Sequence, residues 1–355
     1  IRDAQESRGL GDVYKRQVVG LYRSLGFEAD ELAVLAALTV GDKEELSDDI
    51  VETYSVSGAS HVLALSGLHI GFLYALLLFV LRPLWRRWRR LKPLLLLLLV
   101  LFLVSFAFFT GLSSSVVRSV VMFSLLAFAG LQPEKPLTLN TLAATAFLML
   151  LCKPVWLFDV GFQLSFSAVA AIVLVQPKLY AFWKVDNRFL RYLWGLMTVS
   201  MAAQLGTAPL VIFYFSRFST HFLLTNLWVI PMVSLVLYSA VFLLMLTPLP
   251  FVQHLFARVV EALVHVQNEV LRWIEHLPGA AVDDIWLDIW GVLLVYLFLG
   301  MAYYGFLRLT VRRVCFALLA LLAVVSWHSL SIMSNAPRPV SYTHLRAHET
   351  PEHLV

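Results

Sequence analysis

The chain has 355 residues, of which 60% are hydrophobic and 14% charged, with a formal net charge of +4 and a mean hydropathy of +0.79. A soluble domain carries roughly 25% charged residues, so this composition excludes a water-soluble enzyme core. Apolar runs near the ~20 residues that cross a bilayer recur from about residue 61 to about 333, which excludes a single-anchor protein as well.

Residues 1–17 share no periodicity with the helical pattern that begins after them. They resemble translated cloning or sequencing adapter and are expected to be a non-native tail, as are residues 341–355. Residues 18–60 are acidic, with nine Asp and Glu against Arg23 and Lys43. Their apolar residues recur at helical spacing, and Ser47 followed by Asp48 and Asp49 supplies an N-cap with acids in the first turn. Short extramembrane helices, in water or at the interface, are expected here.

The first apolar segment opens with HVLALSGLHIG at 61–71. Gly67 and Gly71 weaken a regular helix, and His61, Ser66 and His69 place donors and acceptors around the weak point. An interrupted helix is tolerated in a bilayer where its backbone is buried in protein or faces water, which makes this stretch a candidate pore constriction. The blander alternative is close packing through a small face formed by Gly67 and Gly71. A zinc pair from His61 and His69 is disfavoured, because they sit ~80° off a common helix face with no Cys or acid close by in sequence.

Further apolar segments are expected at about 93–110, 116–131, 138–152, 159–176, 192–215, 221–247, 286–307 and 311–333. The linker RPLWRRWRRLKP sets six basic residues around Trp85 and Trp88, the pattern of a cytoplasmic loop with interfacial anchors. Basic linkers recur at Lys178–Arg191 and Arg308–Arg313, and strict alternation cannot leave both on the same side as the first. One segment is therefore expected to be re-entrant or miscounted. Segments 192–215 and 221–247 are the candidates, because Pro209 and Pro231 each free a backbone carbonyl. Residues 251–277 are helical and amphipathic with charges throughout, a pattern that lies along a membrane surface. Cys152 and Cys315 stand in apolar runs and are expected as buried thiols.

Polar residues at helical spacing interrupt several of these segments. Ser115, Arg118 and Ser119 share one face; Asp159, Gln163 and Ser167 share another; Ser200, Gln204 and Thr207, and Asn140, Thr141 and Thr145, form two more. Such stripes either glue helices together or line a hydrated interior. Arg118 is the sharpest case, since a charge at the bilayer centre costs about 2.5–3.5 kcal/mol on insertion scales. It snorkels to the headgroups, pairs with an acid such as Asp159, or meets a translocating anion. Residues 61–340 hold 20 Lys and Arg against nine acids, a balance that fits both the positive-inside rule and the handling of a polyanion. No P-loop, dinucleotide fingerprint or hydrolase motif occurs, so neither catalysis nor a cofactor or metal is expected.

Four blocks, SGASHVLALSGLHIGFL (57–73), FTGLSSSVVRSVVMFSLLAFAG (109–130), LTLNTLAATAFLMLLCKPVWLFDVGFQLSFSAVAAI (137–172) and QLGTAPLVIFYFSRFSTHFLLTNLWVIPM (204–232), resemble in order the competence domain of the ComEC family. The resemblance implies an all-α, multi-pass bundle in the bacterial cytoplasmic membrane that passes single-stranded DNA during natural transformation. It also implies a DNA receptor outside, an ATP-driven motor inside, and action alone or as a homo-oligomer. Full-length relatives often add an oligonucleotide-binding-type domain before this region and a metallo-β-lactamase-like domain after it; no His-x-His-x-Asp-His signature occurs in residues 18–340. Resemblance and stripes together nominate His61, Ser66, Gly67, His69, Gly71, Arg118, Asp159, Gln163, Ser167, Gln204 and Asn226 for the DNA path. The rival reading is a secondary transporter of a small anionic or lipid-like solute bound between broken helices.

Overall fold

The computed structural model describes residues 2–129, 138–307, 316 and 318–327. The chain divides after Trp286 into two units. The first begins with α1 (Arg2–Ser24), α2 (Ala29–Val40), α3 (Asp48–Val56) and the single-turn α4 (Ser60–Leu63). Then come α5 (Gly67–Arg87), α6 (Lys92–Phe109), α7 (Ser114–Ala129) and α8 (Thr138–Cys152). It closes with α9 (Val160–Phe182), α10 (Arg188–Phe215), α11 (Phe222–Met245) and α12 (Pro250–Glu275). A two-stranded antiparallel ribbon sets β1 (Phe218–Ser219) against β2 (Ala281–Val282), with Phe218 opposite Val282. The second unit holds α13 (Ile289–Leu307) and the helix Leu318–Trp327. Within it Asp288 accepts the Gly291 N–H at 2.9 Å and the Trp327 indole N–H at 2.8 Å.

The architecture is an all-helical membrane bundle: α5, α6, α9, α10 and α11 are each long and apolar enough to cross a membrane. Neither α10 nor α11 is broken at its proline, so the interruption expected at Pro209 and Pro231 does not occur. On α10 the turn before Pro209 is clamped by a neighbour, because Gly206 lies directly against the Ser167 carbonyl and Ala171 of α9. Packing of this kind holds a proline-containing membrane helix continuous.

The segments alternate in direction. Gly67, at the start of α5, lies against Arg118 near the start of α7, and Ser114 at the start of α7 bonds to Asp159 just before α9. These three starts share one end of the bundle, so the linkers 88–91 and 183–187 emerge at the other. The ribbon fixes α12 in the same way. β1 lies between α10 and α11 and β2 follows α12, so α12 runs back along α11 over about 39 Å at 1.5 Å per residue.

The largest core gathers α2 with the ends of α1 and α3, the single turn α4, and one face each of α11 and α12. Residues 31–40 of α2 are all buried, including Leu32, Val34, Leu35, Leu38 and Val40, each contributing about 1.5–3 kcal/mol of transfer free energy. The acids at the start of α2 find partners on α12. Asp30 pairs with Arg272 at 2.8 Å, and the nearly buried Glu31 meets His265 Nδ1 at 2.9 Å. Gly41 ends α2 in the left-handed region (φ +71°), where a Cβ would strike Leu65. As its sequence suggests, Ser47 caps α3 by accepting the Ile50 N–H at 3.3 Å.

α12 is amphipathic in an unusual sense. Its buried face mixes Ala257, Val260, Val264 and Leu271 with Gln253, Gln267 and Asn268, while Phe251, Leu255, Val259, Val266 and Trp273 form an exposed apolar stripe. The buried amides meet Tyr54 of α3, whose hydroxyl donates to Asn268 Oδ1 and accepts from Gln267 Nε2, both at 2.9 Å. Burial pushes the Tyr54 phenol above its ordinary range, so it stays protonated and can donate. Cys152 corrects an expectation: it is exposed at the end of α8, its apolar surroundings being outward-facing side chains such as Leu151 and not a core. Cys315, the linker Arg308–Arg313 and residues 341–355 lie outside the described residues, whereas most of residues 1–17 fall within α1.

Candidate functional site

Some of the residues nominated from the sequence, Gly67, Arg118 and Asp159 among them, meet around the first half of α7. Serines 114 and 115 open this helix. Ser114 donates to Asp159, whose carboxylate also accepts the Phe162 N–H at 2.8 Å and so caps α9. Ser115 Oγ lies 3.4 Å from Ser165 Oγ on α9. One turn further on Arg118 is 5% exposed, and its Nη2 donates to Ser119 Oγ at 3.1 Å. The face of Phe166 lies 5.9 Å from its guanidinium carbon, within reach of a cation–π contact.

Two of the three fates open to Arg118 are settled by these contacts. It does not snorkel outward, because it is buried against Gly67 at the start of α5. Nor does it pair with Asp159, whose carboxylate is taken up by Ser114 and the α9 amide. Among the described residues no carboxylate lies within ion-pair distance of Arg118, and its Nε is buried without a hydrogen-bond partner.

The opening of α5 is a helix start and not a break inside a helix. Ser66 is its N-cap and accepts the Leu68 N–H at 3.3 Å, while His69 Nδ1 faces the Ser66 N–H at 3.3 Å and Oγ at 3.1 Å. An amide N–H can only donate, so Nδ1 is the bare nitrogen and the proton is on Nε2. That Nε2 is buried with no partner. Gly67 admits Arg118 where a side chain would collide with it, whereas Gly71 packs on Phe123 at 3.4 Å in ordinary contact. His61, on the single turn α4, is exposed.

Gln163 extends the polar strip along α9, donating to the Leu157 carbonyl at 3.0 Å and accepting the Tyr214 hydroxyl of α10 at 2.8 Å. Other nominated residues behave differently. Ser167 turns its hydroxyl back to the Leu164 carbonyl at 3.0 Å, and its own carbonyl is where α10 approaches most closely, so this part of the α9–α10 seam is dry helix contact. Among the described residues no hydrogen bond joins the half-buried Gln204 to the cluster, and Asn226 on α11 has Oδ1 buried and unpartnered. Three participants were not singled out from the sequence: Ser114, Ser165 and Gly161, whose missing Cβ leaves room for Ser114 Oγ at 2.9 Å. The run of three serines at 113–115, directly before an apolar helix, was the available signal.

Among the described residues no three His, Cys, Asp or Glu side chains gather into a metal-binding group. The cluster offers hydroxyls, amides, one carboxylate engaged as a cap and one buried cation. Such a set can hold water and an anion.

A family model described as Competence protein matches residues 38–309. ComE operon protein 3 of Bacillus subtilis (strain 168) is 30% identical over 217 residues, covering 61% of this chain and 26% of that protein. Recombination protein 2 of Haemophilus influenzae is 24% identical over 212 residues, covering 58% of this chain and 27% of that protein. The chain thus spans 26–27% of the length of these two relatives. No solved structure matches. With most of its helical bundle inside the matched residues 38–309, this chain belongs to the competence protein family.

Proposed function

We propose that this chain forms part of the route by which single-stranded DNA crosses the bacterial cytoplasmic membrane during natural transformation. The observation that carries the reading is the polar strip on α7 and α9, from Ser114 and Asp159 to Gln163 and Tyr214, with a buried and unpaired Arg118 beside it. Membership of the competence family supports DNA as the cargo, and five helices long enough to span support a multi-pass membrane setting. The half-buried rings of Phe166 and Tyr214 stand next to the strip and suit a strand whose bases need transient stacking. A path must bind its cargo weakly and repeatedly, and one cation among neutral polar groups meets that requirement. An external DNA receptor, an internal ATP-driven motor and self-assembly belong to the same proposal.

The decisive experiment is deletion of the reading frame in a transformable host, followed by uptake of labelled DNA. The strain should bind DNA at its surface and fail to bring a strand into the cytoplasm, while growth and solute uptake stay normal. Normal DNA import with impaired uptake of one small anion would replace this reading with the secondary-transporter one.

A further inference from the structure

We infer that the Arg118 guanidinium, seated against Ser119 and the first turn of α5, is a phosphodiester site, which holds one backbone phosphate of the strand at a time. This rests on the proposed function, and it names the group that the path recognises.

Three features of the site point to an anion. First, Gly67 is the opening residue of α5, a 21-residue helix, and a Cβ there would meet the Arg118 guanidinium and lie 2.8 Å from Ser119 Oγ. The guanidinium is thus seated on the helix start. Second, the first-turn amides of a helix have no intrahelical acceptor. Ser66 Oγ takes the Leu68 N–H and, through a capping box, the His69 N–H, which leaves that of Gly67 to another partner. Third, a helix N-terminus carries about half a positive charge, which repels a cation. Arg118 is 95% removed from solvent, makes one hydrogen bond through Nη2 and keeps Nε unpartnered. Placing a buried cation on a positive pole is unfavourable unless a negative group joins them.

A phosphodiester has the required chemistry: one negative charge and two free oxygens, able to accept from a guanidinium and from helix amides together. The choice of strand over lipid headgroup follows from the surroundings. The same face of α7 continues as Ser115 against Ser165 and Ser114 against Asp159, hydroxyls and a carboxylate that alkyl chains would not cover.

The test uses the full chain in nanodiscs of zwitterionic lipid, with a fluorescent oligothymidylate as probe and affinity measured across a salt series. Arg118→Gln should weaken binding about 10- to 100-fold, as loss of a charged hydrogen bond does. The slope of log affinity on log salt should become shallower by about 0.7, one phosphate contact fewer. Arg118→Lys should keep the slope and lose less affinity. Gly67→Ala, whose Cβ would push the guanidinium off the helix start while keeping its charge, should reproduce the loss, so a misfolded Arg118→Gln would not end the test. An oligomer with uncharged methylphosphonate linkages should bind wild type and Arg118→Gln alike. Equal affinity and slope for wild type and Arg118→Gln would overturn the site. So would Arg118-dependent retention of anionic phospholipid with unchanged oligonucleotide binding, which would make it a headgroup site. If the deletion strain fails to import DNA yet Arg118→Gln imports at the wild-type rate, this site falls and the proposed function stands; normal import by the deletion strain removes both.

Discussion

Gly206 gives the sharpest test of how α9 and α10 meet, because a second glycine on the same helix supplies the control. A Cβ built on Gly206 comes 2.5 Å from the Ala171 Cβ and 2.6 Å from the Ser167 carbonyl oxygen of α9. Ordinary contact starts at 3.4 Å, so the helices must separate by about 0.8 Å, and the obstacle is backbone that cannot rotate aside. Overpacking of this kind costs about 1–3 kcal/mol. Replacing a helical glycine by alanine returns about 0.5–1 kcal/mol through reduced chain entropy, leaving Gly206→Ala less stable by up to about 2.5 kcal/mol. At Gly195 the built Cβ meets only Tyr180 Cε2 at 3.8 Å, so Gly195→Ala should show the gain alone. Thermal unfolding followed by circular dichroism in one nanodisc composition would order the proteins as Gly195→Ala, wild type, Gly206→Ala. A Gly206→Ala protein as stable as Gly195→Ala would refute the close approach of these helices.

Tyr54→Phe removes a hydroxyl that serves both Gln267 and Asn268, whose remaining amide atoms already lack partners, and should cost about 1–3 kcal/mol in the same unfolding assay. Asp159→Ala should lose the α9 cap, about 1 kcal/mol, while Asp159→Asn, which can still accept the Phe162 N–H, should stay within about 0.5 kcal/mol of wild type. Single cysteines at Ser66, Gln163 and Phe102 should divide by setting. The first two are expected to react with a membrane-impermeant maleimide, and Phe102, exposed on the apolar α6, is expected to stay unmodified in intact vesicles. Inaccessibility of both Ser66 and Gln163 with DNA absent and present would argue for a dry bundle.

The helices themselves were legible because hydropathy and length are local properties. Segments expected at 93–110 and 138–152 are α6 at Lys92–Phe109 and α8 at Thr138–Cys152, and the Ser47 cap is where its sequence puts it. Periodicity cannot supply the neighbour across a seam. Asp30 and Glu31 read as solvent-facing acids until Arg272 and His265, more than 230 residues away, are brought against them. The same limit explains Arg118. Its stripe on α7 was visible, yet the competition of Ser114 and a helix cap for Asp159 was not, and that competition leaves the cation unpaired. Glycines were informative in type but not in role: of the two in the opening segment, Gly67 admits a guanidinium and Gly71 packs on a ring.

Helix length bears on how a buried arginine is tolerated. The apolar run that carries Arg118 extends from Val116 to Leu131, and Gln132, Pro133 and Glu134 come directly after it. α7, Ser114–Ala129, has sixteen residues and rises about 24 Å, short of the roughly 30 Å of a hydrocarbon core. The run 138–152 beside it rises about 22 Å, and α7 and α8 are packed neighbours. Helices of this length leave about 6 Å of hydrocarbon to be matched by thinning of the bilayer or by water. Arg118, the fifth residue of α7, lies about 6 Å along the helix from its start and away from its middle, where the full insertion cost would apply. Ser114 and Asp159 sit nearer still to that start. A position near the start of a short helix is what the proposed phosphate site requires, because an anion would then have less hydrocarbon to cross before it met the charge.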